Sequence, residues 1–141
     1  MRIFLDTNVL LDFVQDGRPN NETVKLLLDL INKQHQEAYV TTQSILDLVY
    51  VGTKIDYAKT MFFVNYMLNR YNVLHIDYFS LKLALEDGNP DIEDSAQIAC
   101  AEDEECDVFL TSDAGILSRN ITCMRVMTPE AFINKLKSGS E

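Results

Sequence analysis

Five aspartates, Asp6, Asp47, Asp91, Asp94 and Asp113, sit where side-chain oxygens from distant stretches of chain can meet. The apolar run of residues 3–5 ends in Asp6, and the run of residues 108–112 ends in Asp113, so each acid follows a short strand pattern. Asp47 falls in the first or second turn of a helical stretch, Asp94 falls in the first turn of another, and Asp91 lies three residues before Asp94 on the same helical face. Two carboxylates about 4 Å apart repel by roughly 4 kcal/mol at an effective dielectric of about 20. Such a group either keeps protons or is neutralised by a divalent cation. Oxygen-only donors select a hard ion, Mg²⁺ or Mn²⁺, over zinc. That chemistry suits phosphodiester hydrolysis and needs no histidine; His35 and His75 lie outside every motif and take no role.

Each acid also has a simpler reading. Asp6 can cap a helix, although Thr7 and Asn8 can do so too. Asp91 and Asp94 stand where the helix dipole favours carboxylates, Asp113 can cap a short helix, and Asp47 can be a surface residue. The combination is less easily explained than any member: acids at two strand ends and in the early turns of two helices.

The elements that must position these residues alternate. Strand patterns are predicted at 2–6, 38–41, 73–76, 108–111 and 124–127, and helical patterns at 8–15, 21–35, 43–53, 57–71, 78–85, 91–104, 114–117 and from 128 to about 136. Thr42 is expected to cap the third helix, Pro90 to open the helix at Asp91, and Thr128-Pro129 to start the last one. Short apolar strands alternating with amphipathic helices imply a parallel sheet in an α/β sandwich, and ligands in such sheets bind at the carboxyl ends of the strands. One domain over residues 1–137 is expected, with 138–141 as a loose tail.

Bulk properties narrow the class. A 141-residue chain can bury roughly two-thirds of its unfolded surface, so it needs no disulfide or structural metal to fold. No apolar run approaches the roughly 20 residues of a membrane span, and the N-terminus reads as a strand and helix rather than a signal peptide. Three cysteines, Cys100, Cys106 and Cys123, form no framework; they are expected to be buried apolar residues in a reducing, cytoplasmic setting. The net charge of −10 argues against a simple cation-studded nucleic-acid binder. Between Lys82 and Arg119 there is no Lys or Arg, so Asp91, Asp94 and Asp113 have no basic neighbour in sequence.

The segments Leu5-Asp6-Thr7-Asn8-Val9-Leu10-Leu11-Asp12, Asp91-Ile92-Glu93-Asp94-Ser95-Ala96-Gln97 and Asp107-Val108-Phe109-Leu110-Thr111-Ser112-Asp113 resemble PIN-domain proteins. Thr128-Pro129-Glu130-Ala131-Phe132 is similar to that family's last strand-to-helix junction, and the likeness runs in order over essentially the whole chain. The resemblance implies a three-layer α/β/α sandwich around a five-stranded parallel sheet. It implies a ribonuclease hydrolysing single-stranded RNA with Mg²⁺ or Mn²⁺, of the type found as the toxin of a toxin–antitoxin pair, bound by a small antitoxin and homodimeric. It makes Asp6, Asp94 and Asp113 metal ligands with Asp91 in support, and Asp47 the fourth catalytic acid. Thr7, Asn8, Thr111 and Ser112 would hydrogen-bond these carboxylates or the metal's waters. Two departures stand out. The family's second acid is usually Glu, which makes Glu37 and Asp12 rivals to Asp47, and the usual Arg after the fourth strand is missing, which leaves Lys54, Lys59 and Arg119 as candidate RNA contacts.

The competing reading is a non-catalytic PIN-like protein-interaction module, favoured by the acidic surface and by Asp47. A haloacid-dehalogenase-type phosphatase wants an acid at Asn8 and a lysine in the stretch between Lys82 and Lys135, where there is none. A phosphoacceptor receiver domain lacks its acid and lysine in the same way.

Overall fold

The computed structural model describes residues 1–139. The chain alternates as expected: β1 (Arg2–Leu5), α1 (Thr7–Val14), α2 (Asn21–Lys33), β2 (Glu37–Thr41), α3 (Thr42–Gly52), α4 (Tyr57–Arg70), β3 (Asn72–Leu74), α5 (Tyr78–Glu86), α6 (Ile92–Asp103), β4 (Val108–Leu110), α7 (Ala114–Leu117), β5 (Arg125–Met127) and α8 (Pro129–Ser138). The five strands form one sheet in the order β3-β2-β1-β4-β5, and every pairing is parallel. β1 is central because it is apolar along its buried length and can be covered on both faces.

Alternation along β1 builds the three layers. Ile3 and Leu5 point into a core shared with Leu10, Leu27, Ile31, Leu48, Phe63 and Phe132, which come from α1, α2, α3, α4 and α8. Phe4 points the other way, into a smaller core with Tyr39, Ile98, Phe109 and Ile116 under α6 and α7. Phe4 and Phe109 stack at 4.9 Å across the β1–β4 pair. The helix α5 packs outside, on α6. α3 and α4 approach closely at Gly52, where a Cβ would lie 2.6 Å from Thr60 Oγ1.

Several boundaries shift for physical reasons. The third strand ends at Leu74 rather than residue 76, because Leu74 pairs with Thr41 and β2 turns into helix at the next residue. Thr41, not Thr42, caps α3: its hydroxyl accepts from Ser44 N at 3.0 Å. Pro90 stays outside α6, whose N-cap is Asp91. α8 continues to Ser138, two residues past the expected end, and Gly139 closes it in the left-handed region at φ 72°. Of the expected loose tail, Ser138 is thus helical, and residues 140–141 lie outside the described residues. Cys100 and Cys106 are buried as expected, but Cys123 is exposed. No helix among the described residues is long and apolar enough to cross a membrane.

Candidate active site

The strand order reverses direction at β1, with β2 on one side and β4 on the other. Helices leave the carboxyl ends of β1 and β4 there, which opens a crevice between them. A cleft of about 400 Å³ lies at this edge, lined by Asp6, Asp47, Asp91, Glu93, Asp94 and Asp113 together with Thr7, Asn8, Tyr50 and Gln97. Two larger open concavities, of about 870 and 880 Å³, lie around Arg119 and Cys123; neither contains any of the five aspartates singled out by the sequence.

Asp6 is placed by the end of β1. It is buried, 3% exposed, and both of its oxygens are held: Oδ1 accepts from Thr7 N at 2.8 Å and Oδ2 from the Thr111 hydroxyl at 2.9 Å. Thr111 in turn accepts from Asp113 N at 3.0 Å, so one hydroxyl ties the two strand-end acids together. Asp113 Oδ1 caps α7 through Gly115 N at 2.7 Å, and Asp91 Oδ1 caps α6 through Asp94 N at 3.1 Å. The capping readings are therefore real for Asp6 and Asp113, Asp91 caps its helix where a place inside the first turn was expected, and each cap uses Oδ1. Capping and ligation are compatible for a carboxylate with two oxygens.

The charge of this cleft is carried almost uncompensated. Among the described residues, none of the six acids has a Lys or Arg partner in an ion pair. Burial, then the hydrogen bond and charge of Asp91, then the charges of Asp6 and Asp113, push Asp94 up to about 7. A hydrogen bond with Asp47, followed by burial, pushes Glu93 up to about 7. Asp6 is also raised, chiefly by burial, with the Thr111 and Thr7 hydrogen bonds pulling the other way. Asp91 thus lies beside Asp94 and Asp47 beside Glu93, and each neighbour raises the second acid of its pair. Among the described residues no three of them converge as a finished coordination shell.

These shifts fix the sign of a stability effect. Each group binds its proton more tightly folded than unfolded, so its contribution is complete below the ordinary carboxyl range and is lost as pH rises through about 7. In chelator, the melting temperature should fall between about pH 5 and about pH 8, and Asp94→Asn should flatten that slope. A melting temperature that rises with pH over that range would contradict the arrangement described.

The structure sorts the remaining candidates. Thr7 and Asn8 line the cleft, and Thr111 holds Asp6 from below. Ser112 does not line it; its hydroxyl accepts from Asn20 Nδ2 at 3.4 Å. Asp12 is no rival to Asp47, because it is buried 2.6 Å from Arg18 Nε. Glu37 begins β2, at the opposite edge of the sheet, 3.7 Å from Arg2. Lys59 is held by Asp16 at 2.8 Å, away from the cleft lining. Arg119 donates to Ser95 Oγ at 2.8 Å and pairs with Asp87, and it lines the large concavities rather than the cleft. A cation already committed to an ion pair gains little from a phosphate. Lys54 differs: its ammonium sits 3.8 Å from the ring centre of Tyr50, which lines the cleft.

Sequence reasoning gave no role to Glu93, Ser44, Tyr50 or Gln97. Two of them had a usable signal. Ser44 lies three residues before Asp47 and Gln97 three after Asp94, spacings that put each on its aspartate's helical face.

The sequence model of the PIN domain matches residues 3–120. The chain belongs to the PIN-domain family. Its β5 and α8 lie beyond the matched stretch but complete the same sheet and core. Among curated proteins, this PIN-domain chain is 24% identical over 139 residues to ribonuclease VapC1 of Aquifex aeolicus (strain VF5), covering 95% of this chain and 94% of that one. Two solved structures share the fold. Mycobacterium tuberculosis VapC20, described as a sarcin-ricin loop cleaving toxin, superposes with a TM-score of 0.68 at 13% identity over 87% of this chain and 98% of its own. A toxin–antitoxin complex from Klebsiella pneumoniae gives a TM-score of 0.66 at 18% identity over 90% and 97%.

Proposed function

We propose that this PIN-domain protein is a metal-dependent endoribonuclease that hydrolyses single-stranded RNA and serves as the toxin of a toxin–antitoxin pair. The observation that carries the reading is the cleft: six acids at the sheet's switch point, none of them in an ion pair with Lys or Arg among the described residues. The donors are all carboxylate oxygens, which fits Mg²⁺ or Mn²⁺. Asp6, Asp94 and Asp113 would hold the ion, with Asp91 supporting and Asp47 completing the catalytic set. When bound, such an ion neutralises phosphoryl charge and acidifies water.

The chain's own groups do the rest. Thr111 and Thr7 N fix the Asp6 carboxylate, so it does not swing away from repelling neighbours. Glu93, pushed up to about 7 beside Asp47 on the same cleft wall, can take a proton from the attacking water and return one to the leaving oxygen. Water attacks phosphorus, the bridging P–O bond breaks, and the leaving oxygen is protonated. Asn8, Thr7, Thr111 and Ser112 are the polar residues proposed around these carboxylates, Ser112 at one remove through Asn20.

Lys54, with Tyr50 beside it, is the proposed RNA contact. Tyr50 offers an exposed ring to a nucleobase and Lys54 a charge to the next phosphate. Stacking on one aromatic is worth about 1–2 kcal/mol, so Tyr50→Ala should raise KM for a single-stranded oligoribonucleotide about 5- to 30-fold with kcat little changed. Steady-state kinetics check this, and an unchanged KM would remove Tyr50 from the substrate path.

The remaining assignments are proposals on similar footing. The likeness to a toxin–antitoxin complex from Klebsiella pneumoniae supports a small antitoxin partner. Exposed Leu46, Phe62, Leu68, Phe79 and Leu85 on α3, α4 and α5 supply apolar area for that partner and for a second copy in a homodimer. Free cysteines suit a cytoplasmic setting, and residues 1–137 serve as one nuclease domain. The deciding experiment is cleavage of single-stranded RNA by antitoxin-free protein with Mg²⁺ or Mn²⁺. Cleavage that chelator abolishes supports the reading, while an inert protein would favour a non-catalytic interaction module.

A further inference from the structure

Beneath the cleft, three uncharged side chains close a ring. Gln97 Nε2 donates to Thr7 Oγ1 at 3.0 Å, the hydroxyls of Thr7 and Ser44 meet at 2.7 Å, and Ser44 donates to Gln97 Oε1 at 3.4 Å. The proton directions are mutually compatible: the amide gives to Thr7, Thr7 to Ser44, and Ser44 to the amide oxygen. Thr41 adds a fourth contact, donating to Ser44 Oγ at 3.1 Å. Gln97 is 1% exposed and Ser44 fully buried.

The ring joins three elements, and each carries one of the acids. Thr7 directly follows Asp6 at the start of α1, Ser44 lies one turn before Asp47 on α3, and Gln97 lies one turn after Asp94 on α6. Apolar contacts could hold these helices together, but they are non-directional and would yield to the mutual repulsion of the acids. A lysine or arginine in the ring would resist that repulsion only by neutralising the cleft. A neutral ring in which each side chain has a hydrogen-bond partner fixes position without adding charge.

We infer that the Thr7–Ser44–Gln97 ring sets the spacing of Asp6, Asp47 and Asp94 for a divalent cation, with Gln97 as its principal positioning residue. This rests on the metal-dependent reading proposed above. Gln97 is almost wholly buried and acts through the elements it ties.

Gln97→Met tests it, being close in size and unable to hydrogen-bond in the ring. The measurement is Mn²⁺ titration of the full chain followed by electron paramagnetic resonance, with thermal unfolding in parallel. Loss of a group that orients metal ligands weakens affinity about 10- to 100-fold, the result expected for Gln97→Met. Asn21→Ala is the control: it removes another buried amide, one bonded to the carbonyls of Asp12 and Phe13, and should leave Mn²⁺ affinity within about two-fold despite lower stability. Should Gln97→Met fail to fold, Ser44→Ala takes the same test. Wild-type affinity in the ring variant, or an equal loss in Asn21→Ala, overturns the inference and leaves the nuclease reading standing. If the wild-type chain takes up no Mn²⁺, the nuclease reading itself falls and the ring loses its role with it.

Discussion

Asp94→Asn should lower the rate of RNA cleavage by at least about 10²–10³-fold in kcat while leaving a folded protein, because a preorganised charge in a partly buried cleft is lost with almost no change of shape. The same substitution should raise the melting temperature in chelator. Asp94 is pushed up to about 7 by burial and by Asp91, Asp6 and Asp113, so a neutral amide relieves repulsion that the folded chain otherwise bears at neutral pH. Activity lost while stability is gained is a pattern that a purely structural carboxylate would not produce.

The Asp→Asn exchange is informative at Asp6 and Asp113 for a second reason. Both residues cap helices, and Asn is about as good a cap as Asp. Asp113→Asn thus keeps its cap and removes only the charge, whereas Asp6→Asn keeps the cap but also gives up one of the two hydrogen bonds that its oxygens accept. If the acids were there merely to cap, the amide variants would cut RNA like the parent. The assay is cleavage of a fluorogenic single-stranded oligoribonucleotide with Mg²⁺ or Mn²⁺, and near-wild-type turnover in Asp94→Asn would sink the catalytic assignment.

The largest stability effect is expected at Phe109. Its ring is fully buried, stacks on Phe4 at 4.9 Å, and belongs to the smaller of the two cores. Phe109→Ala should cost about 3–5 kcal/mol, a large share of a typical domain's total. For a chain of this length that corresponds to a drop of roughly 10 °C or more in melting temperature. The position matters as much as the size, because β1 and β4 carry Asp6 and Asp113 on their carboxyl ends and the Phe4–Phe109 stack is packed across that pair. Phe109→Leu, which keeps most of the volume, should recover most of the loss. Calorimetry of both variants checks this; a melting temperature for Phe109→Ala within a few degrees of the parent would show that α6 closes over the gap and that this core is looser than its burial implies.

Most of the fold was legible in the sequence because its strands are short apolar runs and its helices carry apolar residues at helical spacing, both local signals. Asp6, Asp91, Asp94 and Asp113 could be singled out for the same reason: each stands at a strand end or helix start that the pattern marks. What local pattern cannot hold is anything set by a partner distant in sequence. β3 stops at Leu74 because β2 has already turned away, a fact about residues more than thirty positions earlier. Asp12 and Glu37 stand in the sequence as possible substitutes for Asp47, and only the fold places Arg18 and Arg2 beside them. Lys59 and Arg119 carry charges like that of Lys54, but tertiary contacts commit them to Asp16 and Asp87.

The sequence by itself determined the order and type of the elements and the chemistry of the donors, since propensity, periodicity and side-chain functional groups travel with each residue. Only the tertiary structure decided which donors share a cleft, which cations are already paired, and that Gln97, Ser44 and Thr7 meet beneath the acids. Those outcomes depend on distance and burial, and both arise only when segments far apart along the chain are packed against one sheet.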